Sequence, residues 1–135
     1  MIPLKIERTE TTPEICLDSD NKLFYMRGES LPENSFKFYA PVLNWIEDYK
    51  NLMLSSSEKL QQEVSFEFFF EYINSSSIKF LFDILRKIEA MKSPVFSPKI
   101  VWKYEIDDQD MKENGEELKS MYTNLQIDIV EVVSN

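Results

Sequence analysis

Residues 64 to 73 carry the pattern that most constrains the fold of this chain. Large apolar side chains occupy every second position there, at Val64, Phe66, Phe68, Phe70 and Tyr72. A period of two is that of a β-strand, whose successive side chains point to opposite faces of the sheet. Five large apolar groups on one face predict a strand well inside a sheet, with that face in the core.

A helix pattern begins shortly after this strand. Apolar side chains recur at the three- and four-residue spacing of one helix face, at Ile78, Leu81, Phe82, Leu85 and Ile88. The two patterns are joined by Asn74-Ser75-Ser76-Ser77. Asn and Ser are preferred N-caps because their side-chain oxygens accept from backbone N–H groups that have no partner within the helix. Capping explains such a cluster by itself, but it needs only one of the four side chains.

The other segments continue the alternation of strands and helices. Strand patterns cover residues 15–18, 22–28, 99–105 and 125–133, and residues 1–14 suit an irregular or edge-strand start. A short acidic helix is predicted after Asp107 or Asp108, with Gly115 weakening its middle.

The first long helix pattern starts at Phe36. Its apolar face is formed by Phe36, Tyr39, Leu43, Ile46 and Met53. Pro41 lies within this stretch, and a proline removes a backbone hydrogen bond and clashes with the preceding turn. The helix is therefore predicted either to kink at Pro41 or to begin near Ala40.

The predicted order is β-β-α-β-α-β-α-β, within one domain that spans residues 1–135. Strands that alternate with helices imply right-handed crossovers, so we expect an α/β fold with one mixed, mostly parallel sheet and helices packed on it. In such sheets functional groups gather beyond the carboxyl ends of the strands. The turn from Asn74 to Ser77 follows such an end and is the predicted functional site.

Composition excludes several classes of function. The formal net charge of −9 argues against binding to nucleic acid or to an anionic membrane surface, since both need clustered Lys or Arg. The absence of His, together with a single Cys, excludes a Ser-His-Asp triad and argues against a zinc site. Gly28 and Gly115 are the only glycines, too few for a nucleotide-binding loop. We expect no metal, no cofactor and no enzymatic activity.

Cellular location is an expectation from two further features. The lone Cys16 cannot form an internal disulfide, which suits a reducing compartment. No apolar run approaches the roughly 20 residues of a membrane span, and the first residues lack the apolar region of a secretory signal. A cytoplasmic protein is predicted, and its oligomeric state is left open.

Two hypotheses give the serine cluster a chemical role in addition to helix capping. Ser76 and Lys79 match the S-x-x-K spacing of serine-lysine hydrolases, but the accompanying Ser-Asp-Asn and Lys-Thr-Gly motifs are absent. Phosphorylation makes better use of the location, because a helix N-terminus can accept the added negative charge without unfolding the domain. A partner docked over neutral hydroxyls would then face a dianion, so the same site can switch binding off.

Four motifs together resemble the SiaC family of bacterial regulatory phosphoproteins. They are the segments Gly28-Glu29-Ser30-x-Pro32-Glu33-Asn34-Ser35, Trp45-Ile46-Glu47, Tyr72-Ile73-Asn74-Ser75-Ser76-Ser77-Ile78 and Asp83-Ile84-Leu85. The likeness spans nearly the whole chain. It implies a single STAS-like domain of the anti-sigma-factor-antagonist type, in which the hydroxyl residue after an Asp at a strand-to-helix turn is phosphorylated.

In this sequence Asn74 stands at the Asp position, so the acceptor that carries over is Ser75, with Ser76 and Ser77 left as alternatives. The resemblance implies a cognate protein kinase, a PP2C-type phosphatase, and an unphosphorylated form that binds and activates a diguanylate cyclase, a regulator of biofilm formation. Candidate partner contacts are Glu33, Asn34, Asn74, Ser76 and Lys79. The alternatives are an anti-sigma-factor antagonist with transcription as its output and, more remotely, a Ser76–Lys79 hydrolase.

Overall fold

The computed structural model describes residues 1–56 and 62–133 of the chain. Its elements, in chain order, are β1 (Leu4–Ile6), β2 (Glu14–Asp18), β3 (Leu23–Ser30), α1 (Ser35–Leu54), β4 (Gln62–Ile73), α2 (Ser75–Glu89), β5 (Phe96–Glu105), α3 (Gln109–Met121) and β6 (Gln126–Val132). The predicted α/β order is confirmed, with one short strand, β1, added in front of it.

The strands form one six-stranded sheet in the order β1-β2-β3-β4-β5-β6. β1, β2 and β3 are antiparallel neighbours, whereas β3 to β6 are all parallel. Each of the three crossovers moves to the next strand in the same direction, and such connections are right-handed, so all three helices lie on one face of the sheet. The alternation of burial along β5 agrees, because every second residue from Phe96 to Tyr104 is buried.

The core lies between the sheet and the helices. Phe68, Phe70 and Trp102 form its aromatic centre on β4 and β5, and the Phe68 and Trp102 rings stack with centroids 6.0 Å apart. Helix α2 covers these rings with an apolar stripe that includes Leu81 and Leu85, both fully buried. The stripe predicted for this helix is therefore the face that it packs on the sheet.

Tyr72 does not lie on the core face of β4, so the alternation predicted through that residue is wrong at its end. Gly28 pairs with Phe70 and Glu29 pairs with Tyr72, which leaves Glu71 as an extra residue in a β-bulge. After the bulge the faces exchange: Tyr72 is 50% exposed and Ile73 only 8%. The Glu71 carboxylate accepts two hydrogen bonds from Arg8, at 2.9 and 3.0 Å, which lower its pKa.

Helix α1 begins at Ser35 and runs through Pro41, so the alternative start near Ala40 is wrong. The proline lies on the exposed side of the helix, where water can satisfy the carbonyl that loses its partner. The prediction for Phe36 is also wrong, because its side chain is 70% exposed and not on the buried face with Tyr39 and Ile46. Phe36 lies in the first turn of α1.

Candidate functional site

The predicted site lies where the carboxyl ends of β3 and β4 meet. Ser30, the last residue of β3, is paired with Ile73, the last residue of β4. The backbone N–H of Asn74 then donates to the Ser30 carbonyl over 2.9 Å, which extends the pairing by one residue. Because both strands end together, α1 and α2 begin side by side at this edge of the sheet.

Asn74 is the N-cap of α2, as its position before the apolar stripe predicts. Its backbone is extended, and its Oδ1 accepts a 2.9 Å hydrogen bond from the backbone N–H of Ser77. The Ser76 hydroxyl donates to the same oxygen over 3.1 Å. One amide side chain therefore fixes the start of the helix, and no serine hydroxyl is needed as the cap.

A buried hydroxyl network lies directly beneath this turn. Ser30, Tyr39 and Ser77 have no exposed surface. The Ser30 hydroxyl donates to the Ser77 Oγ over 2.8 Å, and the Tyr39 hydroxyl lies 2.5 Å from the Ser30 Oγ. Because the single hydroxyl proton of Ser30 is donated to Ser77, Tyr39 is the donor to Ser30. Burial raises the pKa of the Tyr39 hydroxyl. The network joins β3, α1 and α2.

A second hydroxyl pair, between the buried Ser35 and the exposed Ser76, links the two helix starts. The Ser35 and Ser76 Oγ atoms are 2.7 Å apart. Asn34 caps α1 by accepting from the backbone N–H of Lys37 over 3.0 Å, and the exposed Glu33 precedes it. The predicted partner contacts Asn34 and Asn74 therefore lie at the same edge of the sheet. Lys79 is exposed one turn into α2.

The three serines of the turn differ in what their hydroxyls do. Ser77 is buried and hydrogen-bonded to Ser30, and Ser76 is bonded to Ser35 and Asn74. Ser75 is exposed, and its side chain makes no hydrogen bond within residues 1–56 and 62–133. In that part of the chain Ser76 also makes no hydrogen bond with Lys79, so the arrangement offers no support for a serine-lysine nucleophile. Ser75 is the hydroxyl that a second protein can reach without breaking an existing contact.

Several residues of this site were not found from the sequence. Ser30, Ser35 and Tyr39 support the turn from positions more than 30 residues away in the chain. A family motif contained Ser30 and Ser35, whereas Tyr39 was predicted only as part of the apolar face of α1. The exposed ring of Phe36, whose centroid is 6.5 Å from that of Phe80, adds an apolar group to the same edge. No signal in the local pattern distinguishes an exposed Phe36 from a buried one.

The buried and exposed serines are expected to differ in their effect on stability. Ser77→Ala removes the acceptor of the Ser30 hydroxyl inside the protein, and we expect the free energy of unfolding to fall by about 1 kcal/mol. Ser76→Ala, at the surface, is expected to cost less than about 0.5 kcal/mol. Urea denaturation of both variants measures the difference. Equal losses would contradict the assignment of Ser77 to the structural network.

The described residues contain neither a candidate metal site nor a candidate membrane-spanning helix. Residues 1–56 and 62–133 contain no cluster of His, Cys, Asp and Glu side chains that could hold a metal ion. Within the same residues, no helix has the length and apolar character needed to cross a membrane.

Fold and site together define a small α/β domain in which the starts of α1 and α2 form a hydroxyl-rich surface at one edge of the sheet. The chain belongs to the SiaC family of regulatory phosphoproteins, whose family model matches residues 6–132. The resemblance stated from the four motifs is confirmed.

Solved structures and a sequence relative agree with this membership. The crystal structure of apo-SiaC from Pseudomonas aeruginosa is 27% identical, covers 96% of this chain and 98% of its own, and superimposes with a TM-score of 0.74. The structure of diguanylate cyclase SiaD in complex with its activator SiaC, from the same organism, matches with 27% identity, 96% and 99% coverage and a TM-score of 0.79. An uncharacterized protein of P. aeruginosa strain UCBPP-PA14 is 29% identical over 119 residues, 88% of this chain and 89% of the relative.

Proposed function

We propose that this chain is a partner-switching protein that is phosphorylated on Ser75 and that, when unphosphorylated, binds and activates a diguanylate cyclase. It acts by binding and not by catalysis. The observation that carries the proposal is the exposed, uncommitted Ser75 hydroxyl at the strand-to-helix turn of a member of a regulatory phosphoprotein family. The partner class is suggested by the solved complex in which SiaC is the activator of SiaD.

The proposed modification needs only an accessible hydroxyl on this chain. A cognate kinase transfers the γ-phosphoryl group of ATP to the Ser75 Oγ: the new Oγ–P bond forms, the bond between the γ-phosphorus and the bridging oxygen of ADP breaks, and the hydroxyl proton passes to a base of the kinase. Hydrolysis by a PP2C-type phosphatase returns Ser75 and inorganic phosphate. Because the kinase consumes ATP, we place the switch in the cytoplasm.

The switching effect follows from the added charge. A phosphoserine carries about −1.5 to −2 charges at pH 7. It would add this charge to the edge of the sheet where α1 and α2 begin, which also carries the exposed Phe36 and the Asn34 and Asn74 caps, all of them neutral groups. A partner that covers this surface would have to bury the dianion, and the binding energy would fall. The proposed partner contacts are Glu33, Asn34, Asn74, Ser76 and Lys79.

Phosphopeptide mapping tests the acceptor. In protein isolated from its own cell, we expect one phosphate on the peptide that contains residues 75–77, located on Ser75 by fragmentation. Ser75→Ala is expected to abolish incorporation by the cognate kinase, whereas Ser76→Ala and Ser77→Ala keep it. Undiminished incorporation into Ser75→Ala would overturn the assignment.

Recovery of partners tests the output. Wild-type protein captured from its own cell in the dephosphorylated state is expected to bring down a diguanylate cyclase and to raise its rate of cyclic di-GMP synthesis when added back to the purified cyclase. Recovery of sigma-factor regulators in place of a cyclase would favour the anti-sigma-antagonist alternative. A captured cyclase whose rate is unchanged would contradict activation.

A further inference from the structure

Lys79 follows Ser75 by four residues on α2. Residues four apart lie on the same helix face, one turn above the other, and side chains on a helix lean toward its N-terminus. The Lys79 side chain therefore leans toward Ser75. We propose that Lys79 is the internal counter-ion of the phosphoryl group on Ser75, an inference that rests on the proposed phosphorylation of that residue.

The ion pairs of the protein leave Lys79 available for this role. Lys87 pairs with Glu47 and Lys103 with Glu67, whereas Lys79 makes no ion pair within the described residues. The acidic residue one turn beyond it, Asp83, is paired with Arg86 over 3.2 Å. Lys79 thus has an exposed ammonium group and a neighbour on its C-terminal side that is already paired.

The charges around the turn leave Lys79 as the cation available to pair with a phosphoryl group on Ser75. The first turn of α2 contains no acidic residue. The start of α1, which touches the turn through Ser35 and Ser76, presents one group of each sign, Glu33 and Lys37, so its charges balance. On the face of α2 that carries Ser75, Asp83 and Arg86 pair with each other, whereas Lys79 makes no ion pair within the described residues. In a chain with a net charge of −9, a cation at this position offsets the repulsion that a new dianion meets.

The proposed pairing with Lys79 affects both the position of the phosphoryl group and the charges that a partner meets. The phosphoryl group is held on the surface of its own helix, so the domain stays folded and the group has a fixed position. Lys79, a proposed contact for the partner, is at the same time withdrawn from that contact. One modification thereby both adds a charge to the docking surface and removes a cation from it.

The second ionisation of the phosphoserine reports the pairing directly. Full-length protein with phosphoserine incorporated by genetic encoding at position 75 is titrated by ³¹P NMR, which requires no kinase. A nearby ammonium group favours the dianion, so we expect the phosphoserine pKa to rise by about 0.3 unit in Lys79→Met, the size of a helical ion pair spaced by four residues. Lys79→Arg keeps the charge and is expected to restore the wild-type titration.

Lys119→Met is the matched control, since it removes an exposed lysine from a different helix. It is expected to leave the titration unchanged. A Lys79→Met protein that titrates with the wild-type pKa would overturn the pairing, as would an equal shift in Lys119→Met. The titration is independent of which hydroxyl the cellular kinase modifies. Failure of the Ser75 assignment by phosphopeptide mapping is therefore distinguishable from failure of the Lys79 pairing.

Discussion

Replacing Ser75 by aspartate is expected to weaken binding to the captured cyclase by about tenfold or more. Leaving a charged group without a partner in an interface costs roughly 2–5 kcal/mol, and 1.4 kcal/mol already corresponds to tenfold in affinity. Aspartate places a carboxylate among the Asn34 and Asn74 caps, on a surface that offers few groups to compensate it. If the carboxylate is paired with Lys79 instead, Lys79 is withdrawn from the partner, so binding is weakened in that case as well.

Ser75→Asn is the control for this substitution, since its side chain has the size of aspartate and no charge. We expect it to bind the cyclase within a few-fold of wild type. Isothermal titration of both variants against the purified cyclase measures the two affinities, and cyclic di-GMP synthesis measures activation. Wild-type affinity in Ser75→Asp would count against charge as the switch, and equal losses in both variants would indicate a steric effect instead.

The elements that could be predicted from the sequence are those whose signal is local. The alternation from Val64 to Phe70 and the stripe of α2 each depend on the burial of one face, which neighbouring residues encode at a period of two or 3.6. The end of β4 was mispredicted because its bulge depends on pairing with Gly28. Gly28 has a φ of +122°, and Arg8 atoms lie 3.1 to 3.3 Å from where a β-carbon would be, so the distortion involves three distant segments.

The candidate site likewise has features that local sequence predicts and features that depend on distant residues. Asn74 as a helix cap is a local property, whereas the choice of Ser75 over Ser76 and Ser77 came from the family resemblance and stays a prediction. The hydroxyl contacts that distinguish the three serines join residues 41 and 47 positions apart in the chain, from Ser35 to Ser76 and from Ser30 to Ser77. They depend on β3 and β4 being parallel neighbours that end at the same level, which no local pattern encodes.

Gly115 has a packing role that its sequence position did not predict, and its substitution is expected to have the second large effect. Its position within α3 predicted only a weak helix. In the structure a β-carbon at Gly115 would lie 2.3 Å from Cδ1 and 2.7 Å from Nε1 of Trp102. The indole is 1% exposed and donates to the Met111 carbonyl over 2.9 Å, so it cannot swing away. The glycine is required for α3 to pack on the sheet.

Gly115→Ala is therefore expected to lower the free energy of unfolding, although alanine favours a helix by up to about 1 kcal/mol. Overpacking of a core contact costs roughly 1–3 kcal/mol, and the overlap with Trp102 places this site toward the upper part of that range, so we expect a net loss of about 1–2 kcal/mol. Urea denaturation followed by the fluorescence of Trp45 and Trp102 measures the stability.

The control is Glu116→Ala, at the neighbouring exposed position of α3. It also introduces an alanine but not next to Trp102, so we expect the free energy of unfolding to stay unchanged or to rise slightly. In a Trp102→Phe background the smaller ring leaves room for the alanine, so the cost of Gly115→Ala is expected to shrink, which a double-mutant cycle detects as coupling between the two positions. An unchanged cost in that background would show that the indole is not the obstacle. A stabilising Gly115→Ala in the wild-type background would show that helix propensity, and not packing on Trp102, dominates at this position.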